Sequence, residues 1–313
     1  MTDQEQDLLK RIRNVPNAKA LAAAKEAMSN TAKQRFDDEN AARTASIASV
    51  EPVHNAMRDV IASSADFRAV RDAVAAAPRL KARSVLGKPF VPIAPKAPRL
   101  KLGSFHLVDT PPFQAQTGNN IQVFGGPADS GMQSPLVADG TSGDMSFNIQ
   151  GGGLLDQNNS SVSCWCAIGQ SYVVPEEAGK PETGGSTLRF SASPSFNWSA
   201  FWGSTLWRLA SGNIWIGQVV NRFDQSGAFI DNPVDYQISL RSWNDQNFQD
   251  TQNPSDSSSS YGLSTSIFVQ PAFSYFAWVW IGATAYGDGI DSGNSLSQAQ
   301  MSANVNALTF DTF

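Results

Sequence analysis

Cysteine and histidine are nearly absent from this 313-residue chain, two of each, and that scarcity removes whole classes of chemistry. Two cysteines exclude a disulfide-framework scaffold. Cys164 and Cys166 flank Trp165, so in a strand both sulfurs face one side and the indole the other. Two thiols supply half of a tetrahedral zinc site, and neither His54 nor His106 is near them in sequence. Buried, unreactive thiols are expected. No glycine-serine-glycine elbow accompanies either histidine, so serine-hydrolase chemistry is not expected.

Long apolar runs are also missing. No stretch approaches about 18 consecutive apolar residues, so no membrane-spanning helix is predicted. Met1 to Lys10 is polar and acidic rather than a basic segment followed by an apolar one, so no conventional signal peptide is expected. That reading puts the protein in the cytoplasm or on a non-classical export route.

Other absences are regional. Acidic residues do not occur from Pro78 to Gly103, where seven Lys and Arg stand among Pro89, Pro92, Pro95 and Pro98. Prolines at that spacing cannot continue a helix and favour an extended, solvated path. Tryptophan and tyrosine are missing before Gly103; all eight Trp and five Tyr fall between Trp165 and Tyr286. Leu, Ile, Val and Phe fill only 14 of the first 77 positions, a thin supply for an independent core.

Charge divides the chain at the same place. Residues 1–101 carry 18 Lys and Arg against 11 Asp and Glu, whereas residues 102–313 carry 5 against 17. A basic arm beside an acidic body points to an anionic partner for the arm, such as the acidic surface of a neighbouring copy. Phosphate contact is the lesser reading of Arg79, Lys81 and Arg83, and nucleic acid is not the expected partner.

Three segments follow: a helical arm over 1–77, a basic proline-rich linker over 78–103, and a β-sandwich over 104–313. The fold class is α+β by segments, with an antiparallel, jelly-roll-like sandwich after the arm. In the arm, Leu8 and Ile12 have helical spacing, and Leu21, Met28, Ala32 and Phe36 make a narrow stripe. Asp37 to Glu39 suits a new helix start, Pro52 another, with Val53, Met57, Val60 and Ile61 after it. Phe67, Val70 and Val74 mark a last helix ended by Pro78. Several helices are therefore predicted, burying their stripe only against neighbouring copies, while the β half folds unaided.

In the body, Phe196, Trp198, Ala200 and Trp202 alternate with polar residues as a half-buried strand does. Asn213 to Phe223, the turn Asp224 to Gly227, and the return at Ala228 to Ile230 predict a hairpin. Ser274 to Tyr286 is apolar on both faces and should be a central strand, and Val305 to Phe313 a closing one. Turn-rich breaks are expected at Gly151 to Gly153, Glu176 to Gly185 and Gln249 to Ser260.

Four tryptophans, Trp198, Trp202, Trp278 and Trp280, fall on regular strand faces and are assigned to the core. Trp207 and Trp243 flank polar loops and are the candidate ligand contacts, since indoles at loop ends stack on sugar faces or anchor interfaces. Asp288, Asp291 and Asn294 gather oxygen donors in a glycine-bearing loop, the composition of a structural calcium site and equally of a tight turn. No cofactor other than that calcium is expected. Leu8, Ile12, Phe67, Val70, Val74, Arg79, Lys81 and Arg83 are the candidate assembly residues.

Together these features favour a non-enzymatic structural and binding protein. Its arm mediates assembly, with a homo-oligomer as the expected partner state, and its sandwich presents a surface for a ligand such as a glycan. The alternatives are a carbohydrate-active hydrolase using loop carboxylates and a membrane-acting toxin with an amphipathic helical segment.

Overall fold

The computed structural model describes residues 18–63 and 105–312, apart from Gln225 and the connections 125–130, 154–158, 174–186, 205–208, 246–253, 259–260, 269–272 and 288–294. The candidate assembly residues, Trp207 and the Asp288, Asp291, Asn294 loop lie outside the described residues.

Residues Ala18–Ser63 form one helix, α1, where the sequence suggested several. Asp37 is helix interior, ion-paired with Lys33 one turn earlier. The neighbouring Gln34 amide donates to Asp38 at 2.9 Å. Such i,i+4 pairs support a helix across a site that resembles a start signal. Pro52 also lies within α1, where its ring costs a backbone hydrogen bond without ending the helix.

The body is antiparallel throughout. Strands β2 (Gln114–Phe124), β5 (Asn159–Val173), β12 (Ser274–Gly287), β8 (Ala210–Phe223) and β9 (Phe229–Asp245) make one sheet in the order β2-β5-β12-β8-β9. A second has the order β10-β7-β13-β4-β3, from Ser255–Ser258, Ser195–Ser204, Ser295–Asn304, Asp144–Gly153 and Gly131–Asp139. The third has the order β1-β14-β6-β11, from Phe105–Asp109, Leu308–Thr312, Thr187–Ala192 and Leu263–Phe268. Side chains of all three enter one continuous core, with the first sheet facing the other two. This is a β-sandwich with a helical arm; the strand orders do not establish a jelly roll.

The hairpin and the central strand stand where the sequence put them. Gly227 takes φ +79°, and the Asp224 carboxylate accepts from the backbone N–H groups of Ser226 and Ala228 at 2.8 and 2.9 Å, which fixes the turn between β8 and β9. Strand β12 lies between β5 and β8. Gly151 to Gly153 is not a break but the end of β4, still paired with Ser295 to Ser297.

The first sheet has two apolar faces. Tyr275, Ala277, Val279 and Ile281 of β12 face the sandwich core, whereas Phe276, Trp278 and Trp280 face outward and are covered by Leu21, Ala24, Met28 and Ala32 of α1. The expected stripe therefore packs on its own chain rather than only on neighbours. The physical reason is reciprocal: α1 has a narrow apolar stripe, and the sheet has an aromatic outer face that water would otherwise wet. Burying one large side chain there contributes about 1.5–3 kcal/mol.

Candidate functional site

The aromatic face under α1 is built by cross-strand pairing of tryptophan with glycine. Trp165 stands opposite Gly118 on β2 and Gly282 on β12; Trp215 is opposite Gly282 and Trp280 opposite Gly217; Trp278 is opposite Gly169. Each missing side chain leaves a flat patch of backbone on which the facing indole lies, with ring atoms 2.6–2.8 Å from where a Cβ would stand. Packed down on these bare backbone positions, the rings leave room for a helix of small residues to approach, as ring and alanine surfaces interlock.

Helix and sheet advance together. Arg35 lies over the Trp280 ring at 5.4 Å, Glu39 bonds to Thr284 and Asn213, and Arg43 lies over the Tyr286 ring at 4.7 Å. Arg43 also donates to the Ser161 hydroxyl at 3.0 Å, and Ser161 is the residue paired with Tyr286. There the sheet ends, because β12 stops at Gly287. The helix goes on to Ser63, and every described side chain from Thr44 onward is exposed. At about 1.5 Å per residue, this second half is roughly 30 Å long.

A polar chain ties the two elements at β9. The Trp278 indole donates to Asn221 Oδ1 at 2.8 Å, Asn221 donates to Asn232 Oδ1 at 2.7 Å, Asn232 donates to the Thr31 hydroxyl at 2.9 Å, and Thr31 donates to the Ala27 carbonyl at 2.9 Å. Arg35 pairs with both Asp235 and Gln237. Burial pushes the Glu39 carboxyl above its ordinary range, against the pull of its hydrogen bonds and of Arg43 and Arg35. Burial likewise pulls the Arg43 guanidinium down.

Beside this seam runs an open groove of about 650 Å³ between α1 and β9. The helix contributes Glu26, Asn30, Gln34 and Asp38 at four-residue spacing, and β9 contributes Phe229, Asn232 and Asp235. Phe229 is 44% exposed. Arg35 Nε and the indole Nε1 atoms of Trp215 and Trp280 are buried donors with no acceptor among the described residues, and of these residues Arg35 lines the groove.

Of the sequence-derived candidates, Trp198, Trp202, Trp278 and Trp280 are core, as assigned. Trp243 is a correction. It is 5% exposed, stacked on Trp202 at 5.2 Å, opposite Gly212, and its Nε1 donates to the Ser297 hydroxyl at 2.9 Å. Its position next to a polar loop suggested exposure, but it lies on the inward face of β9 at the rim of the sandwich. Cys164 and Cys166 are free and buried, with Trp165 on the opposite face. Their thiols are pushed up by burial, that of Cys166 to about 12. No cluster of three His, Cys, Asp or Glu able to hold a metal occurs among the described residues, and no described helix is long and apolar enough to cross a membrane. The groove was not legible in sequence, although the four-residue spacing from Glu26 to Asp38 was visible.

No family model and no curated protein matches the chain. Among solved structures, it is similar to the carbohydrate-binding module TmCBM61 in complex with beta-1,4-galactotriose, at 10% identity over 62% of this chain and 86% of that one, with a TM-score of 0.15. It is also similar to carbohydrate-binding modules from the β-sandwich superfamily, at 8% identity, 62% and 56% coverage and a TM-score of 0.13. A chain of the infectious bursal disease virus Gx strain follows at 7% identity, 63% and 40% coverage and a TM-score of 0.13. At these scores the likenesses assign no function.

Proposed function

We propose that this chain is a non-enzymatic assembly protein, whose first helical half clamps the sandwich and whose second half docks on another copy. One observation carries the reading: α1 stays helical for 20 residues after Arg43, which is bonded to Ser161 of the body, and among these 20 the described side chains are exposed. An isolated helix of that length is marginal in water, and the sequence there places Val53, Met57, Val60 and Ile61 at helical spacing. Burying that stripe between copies supplies the missing stabilisation. The basic segment from Arg79 to Lys101 and the acidic body favour the same association through charge.

Sedimentation velocity of the full chain tests this. The expected result is a mass that is a multiple of 33.6 kDa, reduced to a single chain when Val53 and Val60 are both replaced by Asp. A full chain that sediments as a monomer at about 50 μM, or a double variant with unchanged mass, overturns the proposal.

A further inference from the structure

We propose that the groove between α1 and β9 binds a neutral, hydroxyl-rich ligand, an oligosaccharide. This inference is independent of the assembly reading, since it uses only side chains on the first half of α1 and on the sheet beneath it.

The lining decides the chemistry. Glu26 and Asp38 accept hydrogen bonds only, Asn30 and Gln34 offer amides that both donate and accept, and Arg35 only donates. A simple anion meets Glu26 and Asp38, while Arg35, the one lining cation among the described residues, is already paired with Asp235 and Gln237. Hydroxyl groups both give and take hydrogen bonds, so a polyol matches the carboxylates and amides together. Phe229, at the β9 end and 44% exposed, supplies an apolar ring against which the C–H face of a sugar can lie.

A second observation points to a ligand oxygen. Arg35 Nε, Trp280 Nε1 and Trp215 Nε1 have no acceptor among the described residues, while Trp280 is 0% and Trp215 is 5% exposed. The three belong to one cluster, with Arg35 over Trp280 at 5.4 Å and Trp215 edge-on to Trp280 at 5.9 Å. Of the three, Arg35 also lines the groove, whereas the indole N–H ends of Trp280 and Trp215 lie against the backbone at Gly217 and Gly282. Trp278 makes the contrast, because its N–H is satisfied by Asn221. A buried donor left unpaired is unfavourable, and an acceptor entering beside Arg35 would satisfy its Nε–H. The groove volume, about 650 Å³, lies within the roughly 300–1,000 Å³ usual for ligand sites.

The test is isothermal titration of the full chain with soluble cellohexaose, xylohexaose, maltohexaose and β-1,4-galactohexaose, and separately with inorganic phosphate and spermidine. At least one oligosaccharide is expected to bind with a dissociation constant below about 1 mM, weakened at least tenfold by Phe229→Ala and by Asn30→Ala with Gln34→Ala. The exposed Phe268→Ala variant, on another sheet, should leave it unchanged. All four substituted positions are exposed, so far-ultraviolet circular dichroism should confirm an intact fold. Absence of binding by all four sugars, binding indifferent to the groove substitutions, or tighter binding of phosphate or spermidine overturns the proposal.

Discussion

Trp165 lies across the β2–β5 ladder from Gly118, its Nε1 2.7 Å from where a Cβ would stand. All three nearest atoms to that position belong to the same indole, which makes the pair a clean case of ring and glycine fitted to each other. Gly118→Ala should destabilise the chain by about 1–3 kcal/mol, the usual cost of overpacking. Trp165→Phe clears the space, so the double variant should be less destabilised than the sum of the singles by at least about 0.5 kcal/mol. Urea unfolding of all four chains gives the coupling; strict additivity would remove the pairing from the account.

The outer aromatic face needs α1. A chain of residues 104–313 alone would expose Trp165, Trp215, Phe276, Trp278 and Trp280, which the helix covers in the full chain. Such a patch is an aggregation liability. Red-shifted tryptophan emission, dye binding and aggregation are expected of the truncated body, and a soluble monomer with native emission would contradict the clamp. A milder probe is Met28→Ala, which removes a fully buried side chain and should cost about 2–5 kcal/mol.

Stability should respond to pH through Glu39. Its carboxyl is raised above the ordinary 4.5, first by burial, so the folded chain binds that proton more tightly than the unfolded chain does. The contribution is complete below the ordinary value and is lost as pH rises through the raised one. Glu39→Gln should therefore flatten the fall in urea midpoint from mildly acid to neutral buffer. Asp139 and Asp224, both held low by hydrogen bonds in their turns, titrate in the opposite sense and at lower pH. An unchanged profile in the Gln variant would show that the seam carries no such charge cost.

Thiol reagents should find nothing in the native protein. Both cysteines are buried and their thiolates disfavoured, and it is the thiolate that reacts. No modification is expected in native buffer near pH 8, and two equivalents after denaturation in urea. Fast native labelling of either residue would mean that the sandwich opens locally.

Much of the body was legible because its signals are local. A run apolar on both faces marked β12 as a central strand, and Asp224 to Gly227 supplied the residues a tight turn requires. Helix continuity was not, since Asp37 and Pro52 read as boundaries when their neighbours are ignored, whereas α1 is supported by the Lys33–Asp37 ion pair and the Gln34–Asp38 hydrogen bond along itself and by contacts with strands far off in sequence. Trp243 was misread for the same reason: Gly212, Trp202 and Ser297 become its neighbours only once strand register is set. The tryptophan–glycine pairs are likewise properties of register. Glycine within a strand signals close approach, but sequence does not say of what.

The second half of α1 also bears on how bodies can stack. About 30 Å of helix follows Arg43 at the end where β12 stops, so a copy docking on that end meets helix as well as strands.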